Sequence, residues 1–457
     1  MVQIFKPSKR SKAASSKQPL LLQVDDLNHQ GEGVARDNGR VVFVDGALPN
    51  ERVEARVTDS RKRFQTAKLI KVVEASAQRV TPFCSHFGDC GGCALQHLSA
   101  EGQRVVKQKR LARVLADHHV AEPEDWHAPI FGETQGYRRR ARISIWFGKG
   151  KNEFKVGFRQ RSSKALVEID SCPVLAESLQ SSFKLLRQLL VRLKRPKVFS
   201  HLEVCQSQEG TVWILRQLDH LRSDDLTLVQ QFAEQHSLQL LTESNSGALQ
   251  TLTGEAAPIY HYQLTVAEQA LDIGFAPNHF IQVNEQVNRA MVTQAVDWLA
   301  PRAGETIADL FSGVGNFSFA IASVGAKVIG VEGIEVMNQR AAANAERLEL
   351  ADRCQFETID LNGDLTEFAQ NHGPFDGVLL DPARAGAQAV AEQIHLLAPH
   401  RLVYVSCDPA TLARDTEILC SQGYRIEKAG IIDMFPHTTH LESMLLFRKD
   451  GKAKVRK

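Results

Sequence analysis

The stretch TIADLFSGVGNF, residues 306–317, decides the fold class, because a short apolar strand turns sharply there into a helix. Three more short apolar strands follow: AKVIGVE at 326–332, FDGVLLD at 375–381 and RLVYVSC at 401–407. Helical runs such as NQRAAANAERLEL separate them. This alternation predicts a doubly wound, Rossmann-like parallel sheet. We assign it residues 265–457, with KAGIIDMF and SMLLFRK as two last strands near a sheet edge.

The loop after the first of these strands has the features of a nucleotide-binding turn. Gly313 and Gly315 permit a tight turn and close approach of backbone to a ligand. Glu332 ends the next strand, where a carboxylate can accept both hydroxyls of a ribose. This spacing is closer to adenosylmethionine sites than to NAD sites, and the alternative is an ordinary strand–helix turn. Asp360 and Asp381 fall near the ends of the next two strands, where open sheets form their ligand crevice.

Cys407 stands just past the strand LVYVS, in the turn SCDPATLARD. A thiol there faces the ligand crevice, and we expect the helix that begins near Pro409 to lower its pKa. The alternative is a small buried cysteine. A thiolate that adds to carbon 6 of uracil makes carbon 5 nucleophilic, after which a base must remove the carbon-5 proton. Glu442 in HTTHLESM is the candidate base, and His437 and His440 are weaker rivals.

Three of the eight cysteines fall within ten residues, at Cys84, Cys90 and Cys93. Cys172 precedes a proline and is a candidate fourth ligand from a distant loop. Four thiolates suit either zinc or an iron–sulfur cluster. The alternative is a set of unrelated buried cysteines. Two others lie in strand-like or loop segments without partners and are interpreted as structural, Cys205 and Cys354.

The N-terminal part divides into a basic arm and a small β domain. Residues 1–17 are predicted to be disordered, and residues 18–76 contain closely spaced short strands typical of a small barrel. A basic cluster lies late in this barrel, at Arg61, Lys62, Arg63 and Lys68. It is either a solvated edge that resists strand pairing or a surface that follows phosphates.

Residues 77–264 are predicted to be a mixed α/β central domain, with helices near 176–194 and 222–236. A further helix over 99–119 is a candidate for packing on the catalytic domain. Its predicted polar face carries five basic residues, namely Arg104, Lys107, Lys109, Arg110 and Arg113. Arginines at 138–142 head the next set of strands and are candidates for RNA contact.

The bulk properties exclude several classes of protein. A chain of 457 residues suggests roughly three domains, and 43% hydrophobic with 24% charged residues is ordinary for a globular protein. The net charge of +2 means that any contact with nucleic acid is local. We expect no membrane span, because no apolar run approaches about 18 residues. No secretory leader is recognisable, so the expected location is the cytoplasm, where disulfides are rare.

Five motifs together resemble the RNA uracil-5-methyltransferases: FIQVN at 280–284, DLFSGVGNF, LLDPARAG, YVSCDP and HLESMLL. The resemblance implies that Cys407 is the nucleophile and Glu442 the proton acceptor. It implies S-adenosylmethionine as cofactor, surrounded by Gln282, Phe311, Asn316, Glu332, Asp360 and Asp381. It also implies that the cysteine set Cys84, Cys90, Cys93 and Cys172 holds a 4Fe–4S cluster and that the barrel is an OB-like, RNA-binding TRAM domain.

The combination of cluster and barrel is similar to the bacterial branch that makes 5-methyluridine at position 1939 of 23S ribosomal RNA. The expected partner is therefore 23S RNA, free or in an assembly intermediate, and the chain is expected to be a monomer. Alternatives are another rRNA or tRNA uridine, a cytosine-5 RNA methyltransferase, or an RNA-binding protein without activity. Glu442 favours uracil over cytosine, and intact Cys407, Glu442 and glycine loop argue against lost activity.

Overall fold

The computed structural model describes residues 18–150 and 153–449, so the predicted basic arm at 1–17 lies outside the described residues. The chain forms two compact units. The first contains the described residues up to Gly88, together with Gly92–Val106 and His437–Thr439. The second contains Asp89–Gly91, Lys107–Pro436 and the described residues from His440 onward.

The first unit is built on a closed five-stranded barrel in the order β1-β2-β3-β5-β4. Alternating side chains along the strands point inward, and Val24, Val42 and Val53 are fully buried. The predicted barrel is therefore present. Four of its strands lie in the segments LLQVDDL, GRVVFVDGAL, ERVEARVTDS and AKLIKVVEA, whose patterns predict strands, and β2 lies outside them. The strands are β1 (Leu20–Leu27), β2 (Gly33–Asp37), β3 (Arg40–Asp45), β4 (Arg52–Ser60) and β5 (Phe64–Glu74).

The predicted helix at 99–119 is α1 (Ala100–Asp117). Its residues from Lys107 onward belong to the second unit, where Leu111 and Leu115 join an apolar core with strands of the large sheet described below. The assignment of Lys107 to the polar face was wrong. Lys107 is only 2% exposed, because it lies four residues before Leu111 on the buried side of the helix.

The second unit contains a seven-stranded sheet in the order β13-β12-β11-β10-β7-β8-β9. Helices α2, α3 and α4 accompany it, and Phe183, Trp213 and Phe232 lie in one core. In chain order, this region contains β6 (Asp125–Trp126), β7 (Arg140–Phe147), β8 (Phe154–Arg159), β9 (Leu166–Glu168), α2 (Glu177–Gln180), α3 (Ser182–Arg192), β10 (Phe199–Ser207), β11 (Gly210–Gln217), α4 (Ser223–Gln235), β12 (Gln239–Glu243) and β13 (Leu249–Thr251). A two-stranded ribbon follows, made of β14 (Tyr260–Val266) and β15 (Gln269–Phe275).

The large sheet has eight strands in the order β18-β17-β16-β19-β20-β22-β21-β6. It is the predicted doubly wound sheet, with two strands, β18 and β6, beyond those predicted. In chain order, its elements are α5 (Glu285–Leu299), β16 (Thr306–Leu310), α6 (Ser318–Ser323), β17 (Lys327–Glu332), α7 (Glu335–Arg347), β18 (Cys354–Thr358), α8 (Thr366–His372), β19 (Gly377–Leu380), α9 (Gln388–Leu397), β20 (Arg401–Ser406), α10 (Pro409–Ser421), β21 (Tyr424–Ile432) and β22 (Glu442–Lys449).

Across the described ranges, no helix is long and apolar enough to cross a membrane.

The strand order reverses direction between β16 and β19, which opens a crevice at the carboxyl ends of the parallel strands. Strand β22 runs antiparallel beside β20, so its first residues lie next to the carboxyl end of β20. Ser406 pairs with Ser443, and one more step of this register brings Cys407 opposite Glu442. The topology thus joins two distant motifs at one edge of the sheet.

Candidate active site

Cys407 occupies a tight turn between β20 and α10. On one side, the Asp408 amide donates to Ser406 Oγ (3.2 Å) and the Ser406 hydroxyl donates to the Asp408 carbonyl (3.0 Å). On the other, Asp408 caps α10 by accepting from the Ala410 and Thr411 amides at 2.9 and 3.3 Å. The half-buried thiol is therefore held by a rigid backbone.

The acidity of the Cys407 thiol differs from the sequence-based expectation. Its pKa is raised to about 11, first by burial and then by the carboxyl groups of Glu442 and Asp381. Arg384 acts in the opposite direction. The expectation that the start of α10 would lower this pKa was therefore wrong, because desolvation and two nearby acids outweigh the helix terminus.

Glu442 is the first residue of β22 and is only 7% exposed. Its Oε2 atom is buried and accepts no hydrogen bond from the described residues. Burial and the Asp381 carboxyl raise the pKa of Glu442 to about 8, whereas the Lys107 ammonium lowers it. A buried carboxyl group with an unused oxygen and a pKa near neutrality is suited to accept a proton.

Asp381 follows β19 directly, and burial together with the Asp309 carboxyl raises its pKa to about 7. Asp309 lies in the neighbouring strand β16, and its own pKa is also raised to about 7 by burial. The Ser318 hydroxyl donates to Asp309 Oδ2 (2.5 Å), while Oδ1 is buried without a partner among the described residues. Asp309 and Asp381 therefore place two ionisable carboxyl groups near the carboxyl ends of the paired strands β16 and β19.

The glycine loop after β16 has the backbone geometry that the sequence predicts. Gly315 has a φ of +96°, and a side chain there would collide with the ring of Phe319. Phe311 also adopts a positive φ of 68°, which is uncommon for a residue with a side chain. Glu332, at the end of β17, accepts from the Gly313 amide through Oε2 (3.2 Å) and from the Ile334 amide through Oε1 (3.2 Å).

Two residues of the predicted cofactor site are held by side chains that the sequence analysis did not identify. The amides of Asn316 and Asn288 pair reciprocally at 3.0 and 3.1 Å, and the Tyr262 hydroxyl donates to Asn316 Oδ1 (3.0 Å). Buried Arg139 donates from Nε to the Gln282 carbonyl (2.7 Å). Asn284 and Asn288 are buried polar residues four apart at the start of α5, a pattern that could have revealed this network.

Asp360 lies two residues beyond β18 and is exposed. Its Oδ1 accepts from the Asn362 amide (3.0 Å) and from Asn362 Nδ2 (3.1 Å), which is the geometry of a turn residue. By contrast, Cys407, Glu442 and Asp381 are close enough for their charges to affect one another. The structure therefore brings the two predicted catalytic residues together with Asp381.

The predicted metal ligands Cys84, Cys90, Cys93 and Cys172 are all half-buried. Cys90 and Cys172 are far apart in sequence, yet both pack against the core of the seven-stranded sheet. In the described part of the chain, no group of three or more His, Cys, Asp or Glu side chains is arranged to hold a metal ion. Cys205 and Cys354 are buried in apolar cores, as expected of structural cysteines.

Comparison with known families defines the class of this protein. Residues 100–450 match the model of the tRNA (uracil-5-)-methyltransferase family, and residues 18–70 match the TRAM domain. The chain belongs to the uracil-5-methyltransferase family and carries an N-terminal TRAM domain. The resemblance inferred from the five motifs is confirmed, as is the assignment of the barrel.

Among individual relatives, the chain is similar to the 23S rRNA (uracil(1939)-C(5))-methyltransferases RlmD. It is 41% identical to that of Vibrio vulnificus, over 98% of this chain and 100% of the relative. It is 43% identical to that of Shewanella piezotolerans, over 98% and 99%. Its fold is similar to the crystal structure of Pyrococcus abyssi tRNA (uracil-54, C5)-methyltransferase in complex with S-adenosyl-L-homocysteine. That match has a TM-score of 0.72 at 24% identity and covers 94% of this chain and 100% of the other.

Proposed function

We propose that this protein transfers the methyl group of S-adenosylmethionine to carbon 5 of a uridine in 23S ribosomal RNA, at position 1939. The observation that carries the proposal is that the Cys407 thiol lies close enough to the buried Glu442 carboxyl for the two charges to interact, at the ends of the paired strands β20 and β22. The 23S target is supported by the relatives named above, which the chain matches along almost their full length.

The two residues supply the two functions that this reaction needs. The Cys407 sulfur adds to carbon 6 of the uracil, and the electrons of the C5=C6 bond move toward the carbonyl as an enolate. Carbon 5 then takes the methyl group from the sulfonium, which leaves as S-adenosylhomocysteine. Glu442 accepts the carbon-5 proton, the C5=C6 bond re-forms, and the C6–S bond breaks to release the thiolate.

The resting charge state of the site is consistent with this division. A pKa of about 11 keeps the Cys407 thiol largely protonated at neutral pH in the absence of substrates. A pKa of about 8 leaves a fraction of Glu442 ionised at neutral pH, and only this ionised form can accept the carbon-5 proton. The pKa near 8 then leaves Glu442 able to hold the proton taken from carbon 5.

Six residues are proposed to surround the cofactor: Gln282, Phe311, Asn316, Glu332, Asp360 and Asp381. Glu332 is the best supported, because its carboxylate closes onto the glycine loop and can accept ribose hydroxyls. Asn316 is held rigid by Asn288 and Tyr262. Asp360 has the weakest support, because it is exposed and one of its oxygens is already bonded to Asn362.

We also propose that Cys84, Cys90, Cys93 and Cys172 hold a 4Fe–4S cluster. The support is the number of cysteines, their spacing and the family resemblance. The cluster would have a structural or RNA-positioning role, since methyl transfer requires no electron. Protein purified without oxygen is expected to be brown and to contain iron and sulfide, and replacing one of the four cysteines by serine should remove the colour. One zinc per chain with no iron or sulfide would contradict this proposal.

The RNA is proposed to present a looped-out uridine, because base edges in a paired helix cannot reach the crevice. The TRAM barrel and the exposed Arg142 are candidates for phosphate contacts. The expectation that Arg139 also contacts RNA was wrong, because this arginine is buried and donates to the Gln282 carbonyl. Since ribosomal RNA is the substrate, the expected location is the cytoplasm. The expected state is a monomer.

The test of the proposed chemistry uses the two catalytic residues, because they act at different steps. Cys407→Ala should abolish methylation and form no covalent RNA adduct. In the Glu442→Gln protein, Cys407 should still add to the uracil and the methyl group should still be transferred. Removal of the carbon-5 proton should then stall, since loss of a general base costs about 10² to 10⁴ in rate. This variant should therefore accumulate a denaturation-resistant complex that carries the new methyl group.

RNA containing 5-fluorouridine serves as the control, because the fluorine cannot leave as a proton would. It should trap the unmodified protein in a similar complex. Normal turnover by Glu442→Gln, or trapping of Cys407→Ala through another residue, would show that the assigned mechanism is incorrect.

A further inference from the structure

A buried ion pair lies near the catalytic carboxyl and has no role in the steps above. Lys107 on α1 donates from Nζ to Asp433 Oδ1 at 2.6 Å and to the Phe435 carbonyl at 3.1 Å. The side chains of Lys107 and Asp433 are only 3% and 1% exposed. Apolar pairs of similar volume often replace buried ion pairs without loss of stability, so stability alone does not explain this one.

The pairing of the last strands places this ion pair next to Glu442. Ile432 at the end of β21 pairs with Glu442 at the start of β22, and Asp433 follows Ile432 directly. Lys107 therefore holds the segment 433–435 beside the catalytic residue. The charges that act on Glu442 are Asp381 from the loop after β19, which repels its ionised form, and Lys107, which stabilises it. Cys407 adds an ionisable thiol from β20, and the Lys107 charge also disfavours protonation of His440.

We infer that Lys107 is a positioning residue for proton removal, in which an ammonium fixed by Asp433 and Phe435 favours the ionised form of Glu442 and holds the segment beside it in place. This inference rests on the proposed function and deepens it. The proton moves from carbon 5 to the Glu442 carboxylate, the C–H electrons re-form the C5=C6 bond, and the C6–S electrons return to Cys407. Lys107 touches neither substrate. It offsets the negative charge of Asp381, so that Glu442 is a base when the adduct must break down.

The experiment compares three variants of the full-length protein: Lys107→Met, Asp433→Asn and the double variant. The double variant keeps a similar packing volume and removes both charges of the pair. It is therefore expected to fold even if Lys107→Met, which leaves the Asp433 carboxylate buried without its partner, does not. The measurement is the single-turnover rate of adduct breakdown between pH 6 and pH 10 on unmodified RNA. Adduct formation on 5-fluorouridine RNA is measured in parallel.

Loss of the ammonium should move the rising limb of the breakdown rate to higher pH by on the order of one unit. We expect this shift in Lys107→Met and in the double variant, and a shift in the same direction in Asp433→Asn, because burial disfavours the Lys107 ammonium once the carboxylate that stabilises it is gone. At pH 7, breakdown in the two variants without Lys107 should be about tenfold slower, while the 5-fluorouridine adduct still forms.

An unchanged pH profile in the double variant would overturn the role of Lys107. So would a shift in Asp433→Asn that is absent from the double variant, because the effect would then come from an unpaired buried charge and not from loss of the ammonium. If the unmodified protein forms no adduct through Cys407, it is the proposed function that fails.

Discussion

Burial of the Glu442 carboxyl affects both its pKa and the pH dependence of protein stability. Its pKa is raised from 4.5 to about 8, because the ionised form loses water and faces Asp381. A raised folded-state pKa means that the folded protein binds a proton that the unfolded chain releases. Below about pH 4.5, Glu442 is neutral in both the folded and the unfolded state and does not oppose folding. The free energy of unfolding falls as the pH rises from there toward 8, because only the unfolded chain ionises this group.

This linkage predicts that Glu442→Gln is more stable than the unmodified protein at alkaline pH. The neutral amide never ionises, so it avoids a penalty on the order of a few kcal/mol at pH 8. We expect the melting temperature of Glu442→Gln to exceed that of the unmodified protein at pH 8 and the difference to vanish near pH 4.5. The control is Glu427 on β21, which forms an ion pair with Arg448 on β22. Glu427→Gln should show no gain at pH 8, and an equal gain would indicate a general effect of charge.

At the residue level, the sequence predicted where Cys407 and Glu442 lie but not the direction of the pKa shift of Cys407. Cys407 and Glu442 stand in motifs that mark strand ends, so their positions could be predicted. The pKa of Cys407 depends on Glu442 and Asp381, which come close only when β19, β20 and β22 are aligned. Lys107 was assigned to the wrong side of its helix, because its partner Asp433 is hundreds of residues away in sequence.

Helix α10 holds the loop that carries Asp381. Asp415 on this helix is fully buried, and its Oδ2 accepts from the Ala387 amide (2.7 Å) and from the Tyr404 hydroxyl (2.7 Å). Its Oδ1 accepts from Arg414 (2.8 Å), which in turn donates to the Ala385 carbonyl (2.9 Å). One helix thus fixes both sides of the crevice, since its N-terminus also shapes the turn of Cys407.

We predict that Asp415→Asn loosens this loop. One carboxylate oxygen becomes an amide donor that faces existing donors, and such a buried mismatch costs roughly 1–3 kcal/mol. The melting temperature should fall by a few °C, and amide hydrogen exchange should accelerate at 383–387. Tyr404→Phe is the matched control, because it removes one donor and leaves the Ala387 amide bonded to Asp415. Equal exchange in both variants would mean that Asp415 does not hold the loop.

At the level of elements, polarity explains what the sequence analysis missed. Strand β18 has the sequence CQFET, and only Cys354 is buried, so it lacks the apolar run of the other parallel strands. Strand β2, GVARD, is short and polar at its end. Both strands form because neighbouring strands supply their hydrogen bonds, a tertiary effect that local pattern does not record.

For the molecule as a whole, the fold class could be predicted, because the barrel and the parallel sheet each have their own pattern of strands and helices. The residues of the barrel that contact RNA could not be predicted from the sequence. Arg61, Lys62 and Arg63 are all exposed beside the β4–β5 turn, which fits both a solvated edge and a phosphate-binding surface. Arg61 is already paired with Asp59 at 3.0 Å, so Lys62 and Arg63 are better candidates for contacting RNA.

The salt dependence of RNA binding separates these two interpretations. Each phosphate contact releases condensed counterions, so losing two contacts should reduce the slope of log affinity against log salt by about 1.4 to 1.8. We expect Lys62→Ala/Arg63→Ala to bind 23S RNA fragments more weakly at low salt and with a shallower slope, while cofactor binding is unchanged. The control is Lys184→Ala/Lys327→Ala, which removes the same charge from exposed positions on α3 and at the amino end of β17. If both double variants change the slope equally, the effect is one of net charge, and the residues beside the β4–β5 turn form only a solvated edge. A slope change confined to Lys62→Ala/Arg63→Ala assigns phosphate contacts to the TRAM domain.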